Sequence, residues 1–539
     1  MKAKGAVEPP PSQPWYLVGL PGSGKSKVGR ILSRMFCVPH VDVDQRIEVE
    51  TGRSITEIFK QDGEAAFRAL ERDTILASGD EPAVISLGGG AVGDVRVRRF
   101  LEGQTVIWLD ASDKELVRRV ERKSHRPLLR DNPAWTIARL RRERKALYGE
   151  VATTRVISTS APAVAAANQV LRELLGWETV PVSAQTDYCV RIGWGTTSLL
   201  AGALSKEGEK AFLVLPETMV DFAGPVMGEL RRAGKQVVVF THPEGESSKD
   251  LSVVARAWDL MGEERIGRKD TVVTFGGGAT TDLGGFLAAT WTRGIQVVHL
   301  PTSLLAMVDA SVGSKTGINT AAGKNLVGAF HDPRAVLIDL NYLATLPAEE
   351  YVAGLAEVVK AGFIGDEEIL RLVEANPKLG VREWGTGEGR DVLAELVVRS
   401  VQLKARVVGE DRLEGGVREH LNYGHTLGHA IEKQEQFRVR HGEAVAMGAV
   451  FAAYLARHLR LIGDETVSRH EILFSSVGLP TRYDGEIEPL LAAMRSDKKT
   501  RGRDLRFALL HSGGMAVTKV AEEDIRSAAK ILKMGGENR

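Results

Sequence analysis

Hydrophobic and polar positions alternate regularly along the first third of the chain. Short apolar runs such as WYLVGL, AVISLGGG, TVIWLD and RVIST are separated by polar stretches, for example residues 55–76, whose apolar side chains recur at helical spacing. Apolar runs of this length are typical of buried strands, and strands that alternate with amphipathic helices form parallel sheets covered by helices. Residues 15–176 are therefore predicted to form one three-layer α/β/α domain.

The pattern changes several times along the rest of the chain. Residues 177–187 are poor in periodic apolar positions and are interpreted as a linker. Residues 188–346 return to buried strands separated by helical segments, which predicts a second α/β lobe. In residues 347–539 the apolar positions follow long helical stretches, which predicts a mostly helical third lobe. Residues 1–14 carry a proline cluster and are expected to form a poorly ordered tail.

Composition excludes several classes of protein. Lys and Arg number 71 and Asp and Glu 70, so the net charge of +1 creates no field that favours nucleic acid or an anionic membrane. Cys37 and Cys189 are far apart and suit neither a disulfide framework nor a thiolate metal site. The apolar run 295–308 is interrupted by His299 and Pro301 and is too short to span a bilayer. With no apolar leader segment, we expect a cytoplasmic enzyme of small molecules, with neither nucleic acid nor membrane as a partner.

A phosphate-binding motif follows the first predicted strand. Residues 19–26 read GLPGSGKS, a full match to GxxxxGKS between a strand and a helix. The glycines let backbone amides converge on phosphate oxygens at the start of a helix, Lys25 reaches the terminal phosphates, and Ser26 can ligate magnesium. A chance glycine turn is the alternative, and the strand–loop–helix context favours nucleotide binding.

Further polar segments of the same domain indicate the phosphate acceptor. Asp42 and Asp44 end the next apolar run, where one carboxylate can hold hydrated magnesium and the other can orient a hydroxyl group. The segments ITEIF, GEAAFR, GGG, HRPLL and RKALY then follow in that order. Together with the phosphate loop, these segments resemble shikimate kinase over nearly all of residues 15–175.

The resemblance to shikimate kinase implies phosphorylation of the 3-hydroxyl of shikimate by ATP with Mg²⁺. The Mg²⁺ ligands fall on Ser26 and Asp42. The implied ATP-binding residues are Gly22, Ser23, Gly24, Lys25, Ser26, Lys27, Arg119 and Arg126. The implied shikimate-binding residues are Asp44, Arg68, Gly89, Gly90 and Arg144. Asp44 is the candidate base, and Lys25 and Arg126 are expected to stabilise the charge on the transferred group.

The second α/β lobe carries a glycine-rich turn at the end of its strand DTVVTF. Residues 276–286 read GGGATTDLGGF, which is not the GxGxxG fingerprint of dinucleotide-binding folds. Successive glycines allow close approach to a pyrophosphate, and a simple strand-to-helix turn is an equal alternative. Lysines and an asparagine among the glycines of residues 308–325 suit an anionic substrate.

The helical lobe carries a candidate metal site. Glu357 lies inside an apolar helix, where an unpaired charge is costly and a cation is the natural partner. His425 and His429 are one helical turn apart and share a face, and His441 follows beside a glycine. A carboxylate with two imidazoles leaves coordination positions open, as in catalytic zinc sites. Hydrogen-bonded core histidines are the alternative.

From about residue 185 to near the C-terminus, these segments resemble 3-dehydroquinate synthase. The resemblance implies an NAD-binding α/β lobe, an α-helical metal-binding lobe and homodimerisation. Its zinc (or cobalt) ligands fall on Glu357, His425 and His441, which leaves His429 as a substrate contact. The implied NAD-binding residues are Gly245, Glu246, Lys249, Gly277, Gly278, Ala279, Thr280, Thr281, Asp282, Thr302, Ser303 and Lys324. The implied substrate-binding residues are Arg293, Asp309, Lys315, Asn325, Lys360, Lys404, Arg418, Asn422, His429 and Lys498.

The implied reaction converts 3-deoxy-D-arabino-heptulosonate 7-phosphate to 3-dehydroquinate and phosphate. Zinc polarises an alcohol of the substrate while NAD takes and later returns its hydride, and phosphate elimination occurs between these steps. The residues expected to be catalytic are Asp309, Lys315, Asn325, Lys360 and His429. The chain departs from the family where Ser314 replaces a usual glycine, at a position where a positive φ is expected, and where Thr302-Ser303 replaces Thr-Thr.

Two other functions are compatible with parts of the sequence. A kinase joined to a metal-dependent alcohol dehydrogenase would share the second fold, but it would not need the lysines, arginine and asparagines of an anion-binding pocket. A non-catalytic scaffold would be expected to lose Lys25, Asp44 or a zinc ligand, and all of these are present. The sequence therefore favours a bifunctional enzyme of aromatic-ring biosynthesis.

Overall fold

The computed structural model describes residues 13–79, 81–121, 132–321, 323–381, 388–411, 416–496 and 505–534. The chain forms two units, one of Met1–Glu178 with Ser198–Leu204 and one of Thr179–Thr197 with Ser205–Arg539. No helix within the described ranges is long and apolar enough to cross a bilayer. Each unit has its own sheet and its own hydrophobic core.

The first unit is built on parallel strands. They are β1 (Trp15–Val18), β2 (His40–Asp42), β3 (Val84–Ser86), β4 (Thr105–Asp110) and β5 (Thr154–Ile157). Their order in the sheet is β2-β3-β1-β4-β5. All side chains of β1 are buried at the centre of this sheet, so its carboxyl end presents the following glycine loop at the middle of one sheet edge.

Helices pack around this sheet. They are α1 (Lys25–Phe36), α2 (Val43–Thr51), α3 (Ile55–Gln61), α4 (Gly63–Leu76), α5 (Val95–Leu101), α6 (Asp113–Glu121), α7 (Pro133–Val151), α8 (Ala163–Leu175) and α9 (Leu200–Ala203). Ser54 and Glu57 form a capping box that starts α3, because each side chain accepts the other's backbone amide. The core includes Tyr16, Phe67 and Trp108.

In its described residues, the second unit contains a larger sheet and two hairpins. Its sheet strands are β6 (Glu178–Val182), β7 (Tyr188–Gly193), β8 (Lys210–Pro216), β9 (Gln236–His242), β10 (Thr271–Gly276), β11 (Gln296–Pro301) and β14 (Ala335–Asp339). Their order is β6-β7-β14-β11-β10-β8-β9. The hairpins are β12 (Lys315–Thr320) with β13 (Gly323–Phe330), and β15 (Leu505–His511) with β16 (Gly514–Val520).

Helices dominate the later part of this unit. The helices of the second unit are α10 (Gly224–Arg232), α11 (Leu251–Glu263), α12 (Gly278–Thr290), α13 (Ala348–Gly365), α14 (Glu367–Ala375), α15 (Glu388–Glu410), α16 (His425–Gln434), α17 (His441–His458), α18 (Asp464–Ser476), α19 (Ile487–Ser496) and α20 (Glu522–Met534). The predicted mixed α/β architecture with a helical C-terminal region is confirmed.

Local details differ from the expected segmentation. The expected linker contains all of β6, because Val180 and Val182 alternate with exposed Pro181 and bury their side chains. The helical region is interrupted by the β15–β16 hairpin, which lies between α19 and α20. Most of the expected tail, residues 1–12, lies outside the described residues. The finer domain boundaries remain a prediction.

Candidate active sites

The glycine loop between β1 and α1 surrounds the side chain of Lys25. Its ammonium donates to the carbonyl oxygens of Gly19 at 2.7 Å and of Leu20 at 3.3 Å. Gly24 precedes α1 with a φ of 102°, a left-handed conformation that side chains disfavour. Ser26 is the second residue of α1. It therefore lies at the positive end of the helix dipole, where phosphate binding is favoured.

Arg119 of α6 contacts the same loop. Its guanidinium donates to the carbonyl oxygens of Gly22 at 3.2 Å and of Ser23 at 3.3 Å. The structure thus brings this expected nucleotide contact to the phosphate loop, whereas Lys27 is exposed on α1. The other expected ATP contact, Arg126, lies outside the described residues.

The expected shikimate contacts meet beside the phosphate loop. Arg144 donates to the Gly89 carbonyl at 2.9 Å, and a Cβ on Gly89 would lie 3.1 Å from Pro21 Cδ in the loop. The Arg68 guanidinium fills the space beside Gly90, so a side chain at that position would displace it. The two arginines therefore flank the glycines at one edge of the sheet.

Two carboxylates approach each other here, and one of them was not expected from the sequence. Asp44 Oδ1 lies 3.1 Å from the point that a Cβ on Gly88 would occupy, and Glu71 Oε1 blocks the same point. Glu71 is buried and pairs with Arg68 at 2.6 Å. Burial raises the pKa of Glu71, the Arg68 charge lowers it and the Asp44 charge raises it, so that the pKa lies above its usual value. The three-residue spacing of Arg68 and Glu71 on α4 was the available signal. Asp42 ends β2, directly before α2.

In the second unit, three helices bring a carboxylate and two imidazoles together. Glu357 lies in α13, and His425 and His441 begin α16 and α17. Oε1 of Glu357 lies 3.6 Å from Nε2 of each histidine. These distances are too long for hydrogen bonds, but they approach the separation of about 3.4 Å between ligands of a tetrahedral zinc ion. This Oε1 is buried and has no hydrogen-bond partner among the residues that the structure describes, so the donor set fits a metal ion.

Lys360, one turn later in α13, neutralises the other oxygen of Glu357. Lys360 Nζ contacts Glu357 Oε2 and donates to the Leu421 carbonyl at 2.8 Å, and both charged side chains are only 3% exposed. Burial raises the pKa of Glu357, but Lys360 and His441 lower it, with a net value of about 2. Glu357 is therefore ionised at neutral pH, as a metal ligand must be.

Each candidate histidine ligand is oriented through its second ring nitrogen. His425 Nδ1 lies 3.2 Å from the Tyr423 carbonyl, and His441 Nδ1 lies 3.3 Å from Glu432 Oε2. With Nδ1 as the donor, the lone pair of Nε2 is free to face Glu357. Burial lowers the pKa of His441, but the neighbouring carboxylates of Glu357 and Glu432 outweigh it and raise the pKa to about 10, so a metal ion would bind Nε2 by displacing its proton.

Glycines allow these helices to approach. Any side chain on Gly442 would clash with the Ala353 carbonyl of α13, and Gly424 starts α16 with a φ of 79°. His429 lies one turn after His425, with ring centroids 5.1 Å apart, and stands beside the group of three ligands. The glycines near the histidines thus serve the packing that positions them.

A buried lysine connects the segments expected to bind NAD. Lys249 Nζ donates to Asp282 Oδ2 at 2.7 Å, contacts Asn325 Oδ1 and lies 3.5 Å from Glu246 Oε1. Burial raises the pKa of Asp282 and the Lys249 charge lowers it, with a net increase. Gly245 begins the short helical turn that ends at Lys249. Asn325, expected on the substrate side, lies with this cofactor-side group.

The glycine turn between β10 and α12 faces the chain that follows β11. A Cβ on Gly277 would lie 3.4 Å from Ser303 Oγ, and a Cβ on Gly278 would lie 3.1 Å from Ala310 Cβ. Other residues expected to bind NAD lie in the first turn of α12 or directly after β11. They are Ala279, Thr280, Thr281 and Thr302. Small residues therefore leave the start of α12 open to close approach by a ligand.

Several residues expected to bind the substrate make ordered contacts. Lys404 of α15 donates to Asp309 Oδ1 at 2.6 Å. Burial raises the pKa of Asp309, but the Lys404 charge lowers it, and the net shift is downward. Arg418 is buried, with Nη2 3.4 Å from the point that a Cβ on Gly313 would occupy. Lys315 is exposed at the start of β12.

A cavity of about 60 Å³ lies beside the candidate metal ligands. Its lining includes Asn422, His425, His429 and Arg506. Arg506 of β15 was not expected, and it pairs with Glu419 at 3.0 Å. The cationic and amide groups of this lining suit an anionic part of a ligand.

Comparisons with known proteins assign a family to each half. Residues 239–353 and 354–500 match the models described as 3-dehydroquinate synthase N-terminal and C-terminal, and residues 21–175 match the model described as shikimate kinase. A 3-dehydroquinate synthase of Corynebacterium pseudotuberculosis (strain C231) is 45% identical over 67% of this chain and 99% of its own length. The chain belongs to the 3-dehydroquinate synthase family.

Solved structures share the synthase fold. The structure of 2-deoxy-scyllo-inosose synthase complexed with carbaglucose-6-phosphate, NAD⁺ and Co²⁺ is 25% identical, covers 66% of this chain and 99% of its own, and has a TM-score of 0.59. That of 2-epi-5-epi-valiolone synthase from Streptomyces hygroscopicus subsp. jinggangensis 5008 with NAD⁺ and Zn²⁺ is 25% identical, covers 65% and 98%, and has a TM-score of 0.60. The chain is thus a fusion of a shikimate kinase and a 3-dehydroquinate synthase, and the predicted bifunctional enzyme is confirmed.

In the synthase unit, the expectation of a positive φ at Ser314 is wrong. The left-handed conformation falls on Gly313, with a φ of 126°, and not on Ser314. Gly313 also donates its amide to the Tyr188 hydroxyl at 2.8 Å, a contact that the sequence did not predict. Ser314 is 2% exposed, and its Oγ has no hydrogen-bond partner in the described part of the chain. The substitution therefore adds a hydroxyl without straining the loop.

Three further residues expected to bind a ligand in the synthase unit are not found at their expected positions. Lys498 lies outside the described residues. Arg293 lies in the turn Trp291–Arg293 with a φ of 70°, and within the described residues no hydrogen bond or ion pair connects it to the rest of the site. Lys324 Nζ lies 3.9 Å from Glu432 Oε1, beside the metal-ligand group rather than the glycine turn.

Proposed function

We propose that each half of the chain carries its own active site. The first unit phosphorylates the 3-hydroxyl of shikimate with ATP and Mg²⁺. The second unit converts 3-deoxy-D-arabino-heptulosonate 7-phosphate to 3-dehydroquinate and phosphate with NAD and zinc. The matches to both families support this proposal, as do the relatives solved with NAD⁺ and with Zn²⁺ or Co²⁺.

In the kinase unit, the glycine loop holds the nucleotide. Lys25 exchanges its carbonyl partners for the terminal phosphates, and Arg119 stays bound to the loop backbone. Ser26 and Asp42 would hold Mg²⁺, which neutralises phosphate charge when bound.

The acceptor side of the kinase unit binds and deprotonates shikimate. Arg68 and Arg144 present planar guanidinium groups to its carboxylate. Glu71 holds Arg68 in place at 2.6 Å, and Asp44 accepts the proton of the attacking hydroxyl. The close approach of Gly89 to the phosphate loop supports transfer between adjacent ligands.

In the synthase unit, charged side chains organise the cofactor, the metal and the substrate. Glu357, His425 and His441 would hold zinc, which supplies a Lewis acid for the substrate alcohol when bound, while NAD supplies a reversible hydride acceptor. Arg418 and Asn422 bind anionic and hydroxyl groups of the substrate, assisted by the substrate-side residues Asp309, Lys315, Lys360, Lys404 and His429.

The single observation that carries the synthase proposal is the buried Oε1 of Glu357. A carboxylate oxygen without a hydrogen bond is costly in the protein interior, and a cation compensates that cost. Two imidazole nitrogens at 3.6 Å complete a donor set that zinc prefers.

The finer organisation is also proposed. The domains are residues 15–176, 188–346 and 347–539, and the free cysteines fit a cytoplasmic enzyme.

A homodimer forms through the synthase unit, supported by the exposed apolar side chains of Leu326 and Phe330 on β13. Sedimentation of the full chain and of a Phe330→Asp variant tests this, and a monomeric wild-type chain would contradict it.

The proposed activities are tested on the purified full-length chain. ADP formation is followed with shikimate and ATP, and phosphate release with the heptulosonate phosphate and NAD. We expect Lys25→Ala to abolish only the first activity and His425→Ala to abolish only the second. The matched controls Lys60→Ala and His511→Ala are expected to keep both. Loss of both activities in either site variant would contradict independent sites, and accumulation of NADH would favour a dehydrogenase.

A further inference from the structure

Glu432 of α16 is a buried carboxylate between two parts of the synthase site. It lies seven residues after His425 in the sequence and is 7% exposed. Its Oε2 lies 3.3 Å from His441 Nδ1, and its Oε1 lies 3.9 Å from Lys324 Nζ. Each oxygen thus faces a different nitrogen, one on a candidate metal ligand and one on the β12–β13 hairpin.

The contact with His441 sets the orientation of that ring. A carboxylate oxygen accepts a hydrogen bond, so Nδ1 carries a proton, and Nε2, the atom that would bind the metal, is directed at Glu357 Oε1, 3.6 Å away. His425 obtains the same arrangement from the Tyr423 carbonyl. The two imidazoles therefore differ, because only His441 depends on a side chain that a substitution can remove.

The contact with Lys324 extends this arrangement to the β12–β13 hairpin, where Lys324 is an expected NAD contact. Lys324 Nζ lies 3.8 Å from the centre of the Phe437 ring, and the Phe437 amide donates to the Glu432 carbonyl at 2.7 Å. Glu432 therefore holds Lys324 through its side chain and holds the aromatic face under Lys324 through its backbone.

A second ion is the competing explanation for this carboxylate. Ligand atoms of His429, Glu432 and His441 all lie within 4.8 Å of one another. The Lys324 ammonium already faces Glu432, so another cation at that point would be repelled by it. The charges favour a role in orientation over a role as a ligand.

We propose that Glu432 is a positioning residue that fixes the ring of His441 for metal binding and couples it to Lys324. This inference rests on the proposed metal site of Glu357, His425 and His441. Carboxylates that orient a metal-bound imidazole typically contribute about 10- to 100-fold to metal affinity.

The test measures Co²⁺ binding to the metal-free full-length chain by competition with a chelator, together with the visible spectrum of the Co²⁺ form. We expect Glu432→Ala to weaken Co²⁺ binding about 10- to 100-fold and to shift the spectrum. Glu432→Gln keeps an acceptor for Nδ1 and restores most of the affinity. It leaves Lys324 without a charge partner, so the KM for NAD rises in both variants. Glu435→Gln, at the end of the same helix, is expected to match the wild type.

The outcomes separate this inference from the proposed metal site. Full Co²⁺ affinity in His441→Ala would show that the proposed site itself is wrong. Weak binding in His441→Ala with an unchanged affinity and spectrum in Glu432→Ala would overturn the positioning role alone. Two Co²⁺ ions per wild-type chain, of which Glu432→Ala loses one, would also overturn it and make Glu432 a ligand. Urea unfolding midpoints verify that each variant is folded.

Discussion

In the kinase unit, residues 19–26 supply the phosphate site as one continuous loop between β1 and α1. The proposed metal centre of the synthase unit instead draws Glu357, His425 and His441 from three helices. Lys25 in the loop is held by backbone carbonyls, whereas Glu357 is held by the equally buried Lys360. A local site separates ligand binding from folding, whereas a site of buried charges makes the two interdependent.

Removing a charge from the metal centre is expected to reduce both activity and stability, and this is the largest effect that we predict. Glu357→Gln leaves Lys360, 3% exposed, without its carboxylate, and breaking a buried pair in this way costs about 3–5 kcal/mol. Loss of the Lewis acid, worth several kcal/mol, lowers the synthase rate by at least about 10³-fold. Phosphate release and urea unfolding measure the two effects. The exposed Glu349→Gln on the same helix is the control, and an unchanged unfolding free energy in Glu357→Gln would refute the interdependence.

The same acid-to-amide change in the kinase unit is expected to affect activity alone. Asp44→Asn removes the candidate base and lowers the rate of ADP formation by about 10²–10⁴-fold. Stability is kept or slightly increased, because the Asp44 charge no longer opposes ionisation of the buried Glu71. Thermal unfolding with and without shikimate tests this, with Asp73→Asn as the exposed control. A loss of stability as large as that of Glu357→Gln would remove the contrast between the units.

Reasoning from the sequence identified the functional residues that lie in one contiguous motif or on one helix. Lys25 and Ser26 stand in a contiguous motif, and the one-turn spacing of His425 and His429 needs only a helix. The missed residues, Glu71, Tyr188, Glu432 and Arg506, act through partners that the fold brings close.

Two details of the backbone were also not predicted from the sequence. A family comparison placed the positive φ at Ser314, but the loop places it one residue earlier, at Gly313. β6 lies in a segment that was expected to be a linker, because its two buried valines are too few to give a periodic signal.

Acid is expected to destabilise the synthase unit before the kinase unit. Burial lowers the pKa of His299 and of His470 to about 3, whereas an unfolded histidine titrates near 6.5. Because the folded pKa is the lower one, stability is complete above about pH 6.5 and is lost as the pH falls toward 3. At pH 5 each histidine lowers the free energy of unfolding by about 2 kcal/mol. In the kinase unit burial also lowers the pKa of His40, but this ring is only half-buried. The pKa of Asp110 is lowered, despite burial, through Arg155 and Arg141, so its contribution is lost only below the ordinary pKa of an aspartate.

Calorimetry of the zinc-loaded full chain at pH 7 and pH 5 measures this difference. Zinc with NAD raises the transition of the synthase unit and ATP with shikimate raises that of the kinase unit, which assigns each transition. We expect the synthase transition to fall further between the two pH values. A larger fall of the kinase transition would contradict the assignment of the buried neutral histidines as the acid-sensitive groups.

The smallest expected effect concerns one buried hydroxyl in each unit. Ser314 Oγ in the synthase unit and Ser23 Oγ in the kinase unit are buried, and neither has a hydrogen-bond partner among the described residues. An unsatisfied buried hydroxyl costs on the order of 1 kcal/mol, so Ser314→Ala and Ser23→Ala are each expected to stabilise their own unit by about that amount. Gly313→Ala is the contrasting variant, because a φ of 126° strains any side chain and is expected to destabilise the synthase unit. Calorimetry resolves the two transitions. A loss of stability in Ser314→Ala would mean that the hydroxyl is satisfied in solution, and that this departure from the family supports the loop rather than being tolerated by it.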